Sequence, residues 1–207
     1  MIKCIPVGIM PTNCYVVYDN DYKEAMIIDP AYKADEIVNF IKENNLQLKY
    51  IYLTHCHFDH IMGATWLKEQ IDVPIACLDK EEENCKDENV TMGKVLLSKS
   101  ITIKIDKVFF ENDEIQIGNL NFKVIHTPGH TSGSSCLYGE GILISGDTLF
   151  NGTYGRCDLP TGNIQDIINS IKTKLFSLPD STIVYPGHGE TTTIGKEKQN
   201  EEIEEYL

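Results

Sequence analysis

Apolar residues along the chain follow two rhythms. Segments 2–9, 14–18 and 25–28 are short and rich in Ile, Val and Tyr, with turn residues between them, so they read as strands. The third ends at Asp29-Pro30. Residues 34–44 carry Ile37, Phe40 and Ile41 at helical spacing. A short apolar strand follows at 50–53, then a helical stretch at 61–70 and a strand at 73–78.

The second half repeats this grammar. Residues 115–125 alternate like a hairpin about Gly118-Asn119. Segments 136–138 and 142–145 pair about 139–141. Residues 163–176 place Ile164, Ile167, Ile168, Ile171 and Leu175 on a helical face, and 182–185 reads as a last strand. Two sheets with helices outside would bury these elements in layers. Propensity alone does not separate that arrangement from a doubly wound sheet.

Composition narrows the setting. The 207 residues are 42 % apolar, enough for a sizeable core, and are read as one domain over 1–207. No apolar run approaches the roughly 20 residues of a membrane span. The N-terminus lacks the apolar core and cleavage site of a signal peptide, so the expected location is cytoplasmic. A net charge of −13 repels phosphates, so neither nucleic acid nor membrane is an expected partner. The acidic runs at 80–88 and 201–205 read as solvated helix faces. Seven scattered cysteines without C-x-x-C spacing read as free, mostly buried thiols. Arg156 is the sole arginine; this Lys bias, with many Asn and Ile, fits an AT-rich bacterial genome.

The histidines change the picture most. Five of the six fall in three short loops, each after a strand pattern. Thr54-His55-Cys56-His57-Phe58-Asp59-His60 holds three of them. If the preceding strand stays extended, His55 and His57 point one way and Cys56 and Phe58 the other. Asp59 and His60 then follow where the chain turns. His130 lies in Thr127-Pro-Gly-His130-Thr, His188 in Tyr185-Pro-Gly-His188-Gly-Glu, and Asp147 in Ser145-Gly-Asp147-Thr. Loops held by strand ends are where metal ligands belong. Imidazole and carboxylate suit Zn, Fe, Mn or Co, and nothing here asks for a thiolate. Five histidines and two aspartates exceed one tetrahedral site and fit two metals about 3.5–4 Å apart. A lone His at a strand end is ordinary, but this cluster buried without a metal would be costly.

In order along the chain, the 54–60 run, Thr127-Pro-Gly-His130-Thr, Gly146-Asp147-Thr and Pro186-Gly-His188 resemble the motifs of the metallo-β-lactamase superfamily. Residues 149–162, with Gly155-Arg156-Cys157-Asp158, and Thr192-Thr-Ile-Gly-Lys196 resemble its short, single-domain glyoxalase II-like hydrolases. The resemblance implies an α/β fold, a four-layer αββα sandwich with a metal site at one edge of the two sheets. It implies that His55, His57 and His130 hold one metal and Asp59, His60 and His188 the other, with Asp147 bridging. The implied cofactors are two divalent ions, zinc first, with iron or manganese as alternatives. Two departures qualify it. The longer glyoxalase II enzymes add a basic C-terminal helical domain for glutathione, whereas this sequence stops soon after Lys196-Glu-Lys-Gln-Asn200. A β-lactamase would normally lack His at position 60 and carry Cys at 147, so antibiotic cleavage is not expected.

The implied activity is hydrolysis of a small thioester, in the manner of a hydroxyacylglutathione hydrolase. A hydroxide between the two metals would attack the acyl carbonyl, with Asp59 orienting it as well as binding. A mononuclear-iron persulfide dioxygenase using His55, His130 and Asp147, a hydrolase of another ester or lactone, and a non-catalytic metal-stabilised module stay open. Asp29 resembles a family position beside the site and is read as orienting a ligating His. Arg156 is read as pairing with Asp158 or another acid of its Gly-rich loop, the alternative being a substrate carboxylate. His126 is read as structural, Cys56 as packing, and Cys157 is assigned no role.

Overall fold

The computed structural model describes residues 1–8 and 10–200. Ile9, the expected end of the first strand, and the acidic run 201–205 lie outside the described residues. Runs that are apolar on both strand faces become the centre of two six-stranded sheets. The first sheet is ordered β1 (Ile2–Val7), β2 (Thr12–Tyr18), β3 (Glu24–Ile28), β4 (Gln47–Leu53), β5 (Ile75–Leu78), β6 (Lys107–Phe109). Pairing is antiparallel from β1 to β3 and parallel from β3 to β6. The second sheet holds β7 (Glu114–Ile117), β8 (Leu120–His126), β9 (Ser135–Gly139), β10 (Ile142–Gly146), β11 (Ile183–Pro186) and β12 (Thr192–Thr193), in the order 12-11-10-9-8-7. Only β10 and β11 run parallel there.

Alternation along each strand assigns its two faces. Tyr15, Val17, Met26, Ile28 and Tyr52 meet Ile115, Phe122, Val124, Leu137 and Ile144 in a cluster shared by the two sheets. The opposite face of the first sheet, with Val16, Ile27, Ile51 and Leu53, packs Ile37, Val38 and Ile41 of α1 (Asp35–Glu43) and Leu67 of α3 (Ala64–Ile71). On the second sheet, Cys136, Leu143 and Val184 pack Ile167, Ile168 and Ile171 of α5 (Ile164–Thr173). The layers are therefore αββα, as the sequence implies. Asn163 starts α5 by accepting from the backbone N–H groups of Gln165 and Asp166, an N-cap.

Two local expectations are corrected. The helix expected over 61–70 is instead a single turn, α2 (Phe58–Ile61), followed by α3. Gly63 separates them, and a Cβ there would overlap the Pro30 and Tyr32 carbonyls, so the chain must pass close to that loop. The run 80–88 is not a solvated helix face. It forms two short 3₁₀ turns, and Glu81 is fully buried because the turn aims it under the histidine loops. Strands β6 and β12 and helices α4 (Gly93–Leu97) and α6 (Ile194–Glu197) were not anticipated. Among the described residues no helix is long and apolar enough to cross a membrane.

Candidate metal centre

Five strands deliver the site. Asp29 follows β3, His55 follows β4, His130 follows β8, Asp147 follows β10 and His188 follows β11. Cross-sheet bonds hold the strand ends together: Ser135 N donates to Thr54 O (2.9 Å) and Asn13 N to Gly187 O (2.7 Å).

His55, His57 and His130 form one group whose ligand-type atoms lie within 4.8 Å of one another. Asp59, His60 and His188 form a second by the same measure. Asp147 lies between them, with Oδ1 3.3 Å from His60 Nε2 and Oδ2 3.5 Å from His130 Nε2 and 3.7 Å from His188 Nε2. All seven predicted metal-site residues thus converge. Cys56 turns away into the apolar cluster behind α1 and α3, as expected, but Phe58, expected on the same side, lines the cleft over the site because the chain turns into α2 there. His126 also stays apart; its Nε2 donates to Ser132 O (2.9 Å).

Outer partners fix which nitrogen faces the centre in four of the five rings, while His57 Nδ1 meets His130 Nε2 (2.8 Å). His130 Nδ1 donates to Arg156 O (2.7 Å) and His188 Nδ1 to Pro11 O (3.0 Å). His60 Nδ1 meets Asp29 Oδ2 (2.9 Å). Thr54 Oγ1 donates to Asp29 Oδ2 (2.6 Å) and so accepts from His55 Nδ1 (3.1 Å). With Nδ1 committed in these four rings, Nε2 is the nitrogen that faces the centre, and a metal would need it without its proton. Asp29 Oδ1 also accepts Thr54 N–H (2.8 Å), which makes Asp29 the hinge of the 54–60 run. It sits at φ +50°, a conformation Asp tolerates better than most residues.

Several functional residues escaped sequence reasoning. Glu81 accepts Cys56 N–H (2.8 Å), Thr131 Oγ1–H (3.0 Å) and Asn84 Nδ2–H (2.7 Å), tying the 54–60 run to the His130 loop. Burial pushes its carboxyl up, against the pull of those donors. Asn13 Nδ2 donates to Pro186 O (3.0 Å) and Gly189 O (2.9 Å), and Tyr15 OH to Pro186 O (2.7 Å), which anchors the His188 loop. Thr12 Oγ1 donates to Asp59 O (3.0 Å). Gly187 is required by a close approach: a Cβ there would overlap the Asp147 carboxylate and the His60 ring.

The two groups differ electrostatically. Burial holds His55 well below the usual imidazole range and His57 down at about 3, and neighbouring histidines add to both shifts. His130 is lowered too, chiefly by burial. In the second group burial is overridden. Asp147 and Asp29 raise His60, and Asp59 raises His188. Against its own burial, Asp147 is driven below the carboxylate range by His60, and Asp59 is lowered by His188 and His60. Arg156 contributes its main-chain carbonyl to His130. Its exposed side chain is bound by Asp158, through Nε to Oδ1 (2.7 Å) and Nη2 to Oδ2 (2.8 Å). A cleft of about 250 Å³ opens over His57, Asp59, His130, Asp147 and His188.

Residues 7–188 match the family model of the metallo-beta-lactamase superfamily, and the chain belongs to that superfamily. Relatives at full length include the hydroxyacylglutathione hydrolase GloC of Haemophilus influenzae, 35 % identical over 96 % of this chain and 95 % of its own. The "probable metallo-hydrolase YqgX" of Bacillus subtilis is 36 % identical over 95 % and 94 %. Among solved structures, BLEG-1, described as a B3 metallo-beta-lactamase, superposes with a TM-score of 0.91 at 38 % identity, covering 98 % of this chain and 99 % of that one. A di-iron-bound TTHA1623 gives 0.82 at 30 % (96 % and 98 % covered), and ETHE1 from Myxococcus xanthus 0.78 at 27 % (97 % and 82 % covered).

Proposed function

We propose that the protein is a metal-dependent hydrolase of small acyl thioesters, with His55, His57 and His130 holding one divalent ion, Asp59, His60 and His188 a second, and Asp147 shared between them. One observation carries this reading. The seven side chains converge with His55 Nε2 and His57 Nε2 buried and without a hydrogen-bond partner, in a cluster already oriented by the groups around it. Buried polar atoms left so are costly unless something is bound there, and imidazole with carboxylate suits zinc, with iron and manganese as alternatives.

Bound cations would supply Lewis acidity and, by lowering the pKa of water from about 15.7 to about 7, a nucleophile at neutral pH. Asp59 lines the cleft, and its ionised carboxylate orients the attacking water. Water adds to the acyl carbon, the C–S bond breaks, and a carboxylic acid and a thiol leave. The likeness to GloC supports a thioester as substrate. The net charge of −13 supports a small molecule rather than a nucleic acid or an anionic membrane surface.

Two other readings have specific support. The likeness to ETHE1 keeps a one-iron persulfide dioxygenase in view. The likeness to BLEG-1 weakens the argument from His60 and Asp147 against β-lactam cleavage. Metal analysis alongside a panel of thioesters, lactones, β-lactams and persulfides separates these readings. Two metals per chain with thioester turnover, both lost in Asp147→Ala, is the expected result. One iron per chain with O₂ uptake, or full activity in Asp147→Ala, would overturn the proposal.

A further inference from the structure

The walls of the cleft have a chemistry that the metal ligands do not explain. Met10, Phe58, Met92, Leu96, Phe150 and Leu159 line it around the acid and imidazole floor. Leu96 is 57 % exposed and Met10 49 %, so both stand at the mouth with little protein over them. Phe150 lies edge-on to His188, with ring centroids 6.2 Å apart. Apolar surface left in water beside a reaction centre is where a substrate gains most by covering it.

The strap that carries Met92 and Leu96 is built into the site. Thr91 O accepts Phe58 N–H (2.8 Å), one residue from Asp59, and Thr91 Oγ1 donates to Ile101 O (2.6 Å). Left-handed residues at both ends, Met92 (φ +65°) and Ser98 (φ +55°), bend the short α4 between them over the cleft.

Charge points the same way. Arg156 is the one Lys or Arg among the described residues that line the cleft, and Asp158 engages its Nε and Nη2. A tripeptide thiol with two carboxylates would have to compete with Asp158 for that single guanidinium, on a chain of net charge −13.

We infer that, given the hydrolase reading above, the substrate is a thioester with an apolar acyl chain seated against Met92 and Leu96, and not a glutathione thioester. The acyl carbonyl lies over the Asp59–His130 floor, and the chain runs outward along the strap to Leu96.

The test uses the metal-loaded enzyme and acetyl, butyryl, hexanoyl and octanoyl thioesters of two thiols, neutral N-acetylcysteamine and glutathione. Each added methylene is expected to raise kcat/KM about two- to fourfold until the cleft is full, as burying one CH₂ does. Exchanging the neutral thiol for glutathione brings no gain. In Leu96→Asp, at an exposed position that leaves the fold intact, the octanoyl-to-acetyl ratio collapses toward one. Equilibrium binding of the matching non-hydrolysable 2-oxoalkyl thioethers, read by calorimetry, follows the same chain-length trend. A flat series in both readouts, or a preference for glutathione thioesters, overturns the inference. Thioethers that bind with the trend while no thioester is cleaved would sink the hydrolase reading and leave the apolar subsite standing.

Discussion

The two proposed ligand groups are built by different means although both face Asp147. His55, His57 and His130 are buried, kept neutral by desolvation, and set by a threonine hydroxyl, a main-chain carbonyl and the buried Glu81 underneath. Asp59, His60 and His188 are rich in charge. Asp29, Asp59 and Asp147 hold protons on His60 and His188, and His188 reaches the cleft from a loop pinned by the N-terminal strands. The first group presents lone pairs in place; the second presents protons that a divalent cation would displace. Metal uptake by the second group should therefore release more protons and depend more on its outer carboxylate.

Asp147 is the point at which the groups cannot be separated, so Asp147→Ala has the largest expected effect. Both metal equivalents weaken and turnover disappears, as metal analysis and steady-state rates will show. Asp29→Ala should divide the groups. It removes the direct partner of His60 Nδ1, so the second equivalent should weaken by about 10–100-fold, while the first, reached only through Thr54 and His55, should weaken less. Stepwise competition with a chelator reads this directly, and equal weakening of both equivalents would erase the distinction drawn above.

Glu81 tests the other half. Glu81→Ala strands the Cys56 N–H in the interior, a cost of about 1–3 kcal/mol, while Thr131 Oγ1 keeps Ser134 Oγ (2.7 Å) as a partner. It should weaken the first equivalent by about tenfold and spare the second. Glu81→Gln keeps an oxygen for the Cys56 N–H and should restore most of that affinity. A cobalt-substituted protein reports the change through its visible spectrum, which a loss of fold stability alone would not shift. If Gln and Ala behave alike, Glu81 is only a buried packing group.

This contrast also explains what could be read from the sequence. The strands and helices follow from alternation and from helical spacing at Ile37 and Ile167, and the seven converging residues from histidines and aspartates in loops at strand ends; the αββα stacking follows from the family resemblance, because periodicity alone also allows a doubly wound sheet. Glu81 was hidden because its neighbours 80–88 are mostly charged, and such runs are usually solvated. Its burial comes from contacts to Cys56 and Thr131, 25 and 50 residues away, which no spacing rule links. Asn13 and Tyr15 were hidden for the same reason, since their polar ends act at the distant 186–189 loop. Strands β6 and β12 have three and two residues, too few to show a period.

Cys56 gives the smallest and most exacting test, because it stands between two histidines of the first group. Its thiol is fully buried on the side away from the centre, and burial pushes its pKa up to about 12, so it is a thiol rather than a thiolate at neutral pH. Its contribution to the site is its backbone N–H, held by Glu81, and that group survives any side-chain change. Cys56→Ala should therefore cost stability, about 1 kcal/mol for the lost packing, seen as a lower Tm. Metal content and affinity should stay at the wild-type level. Loss of a metal in that variant would mean that the run 54–60 does not split by direction, and the division into two differently built groups would fall with it.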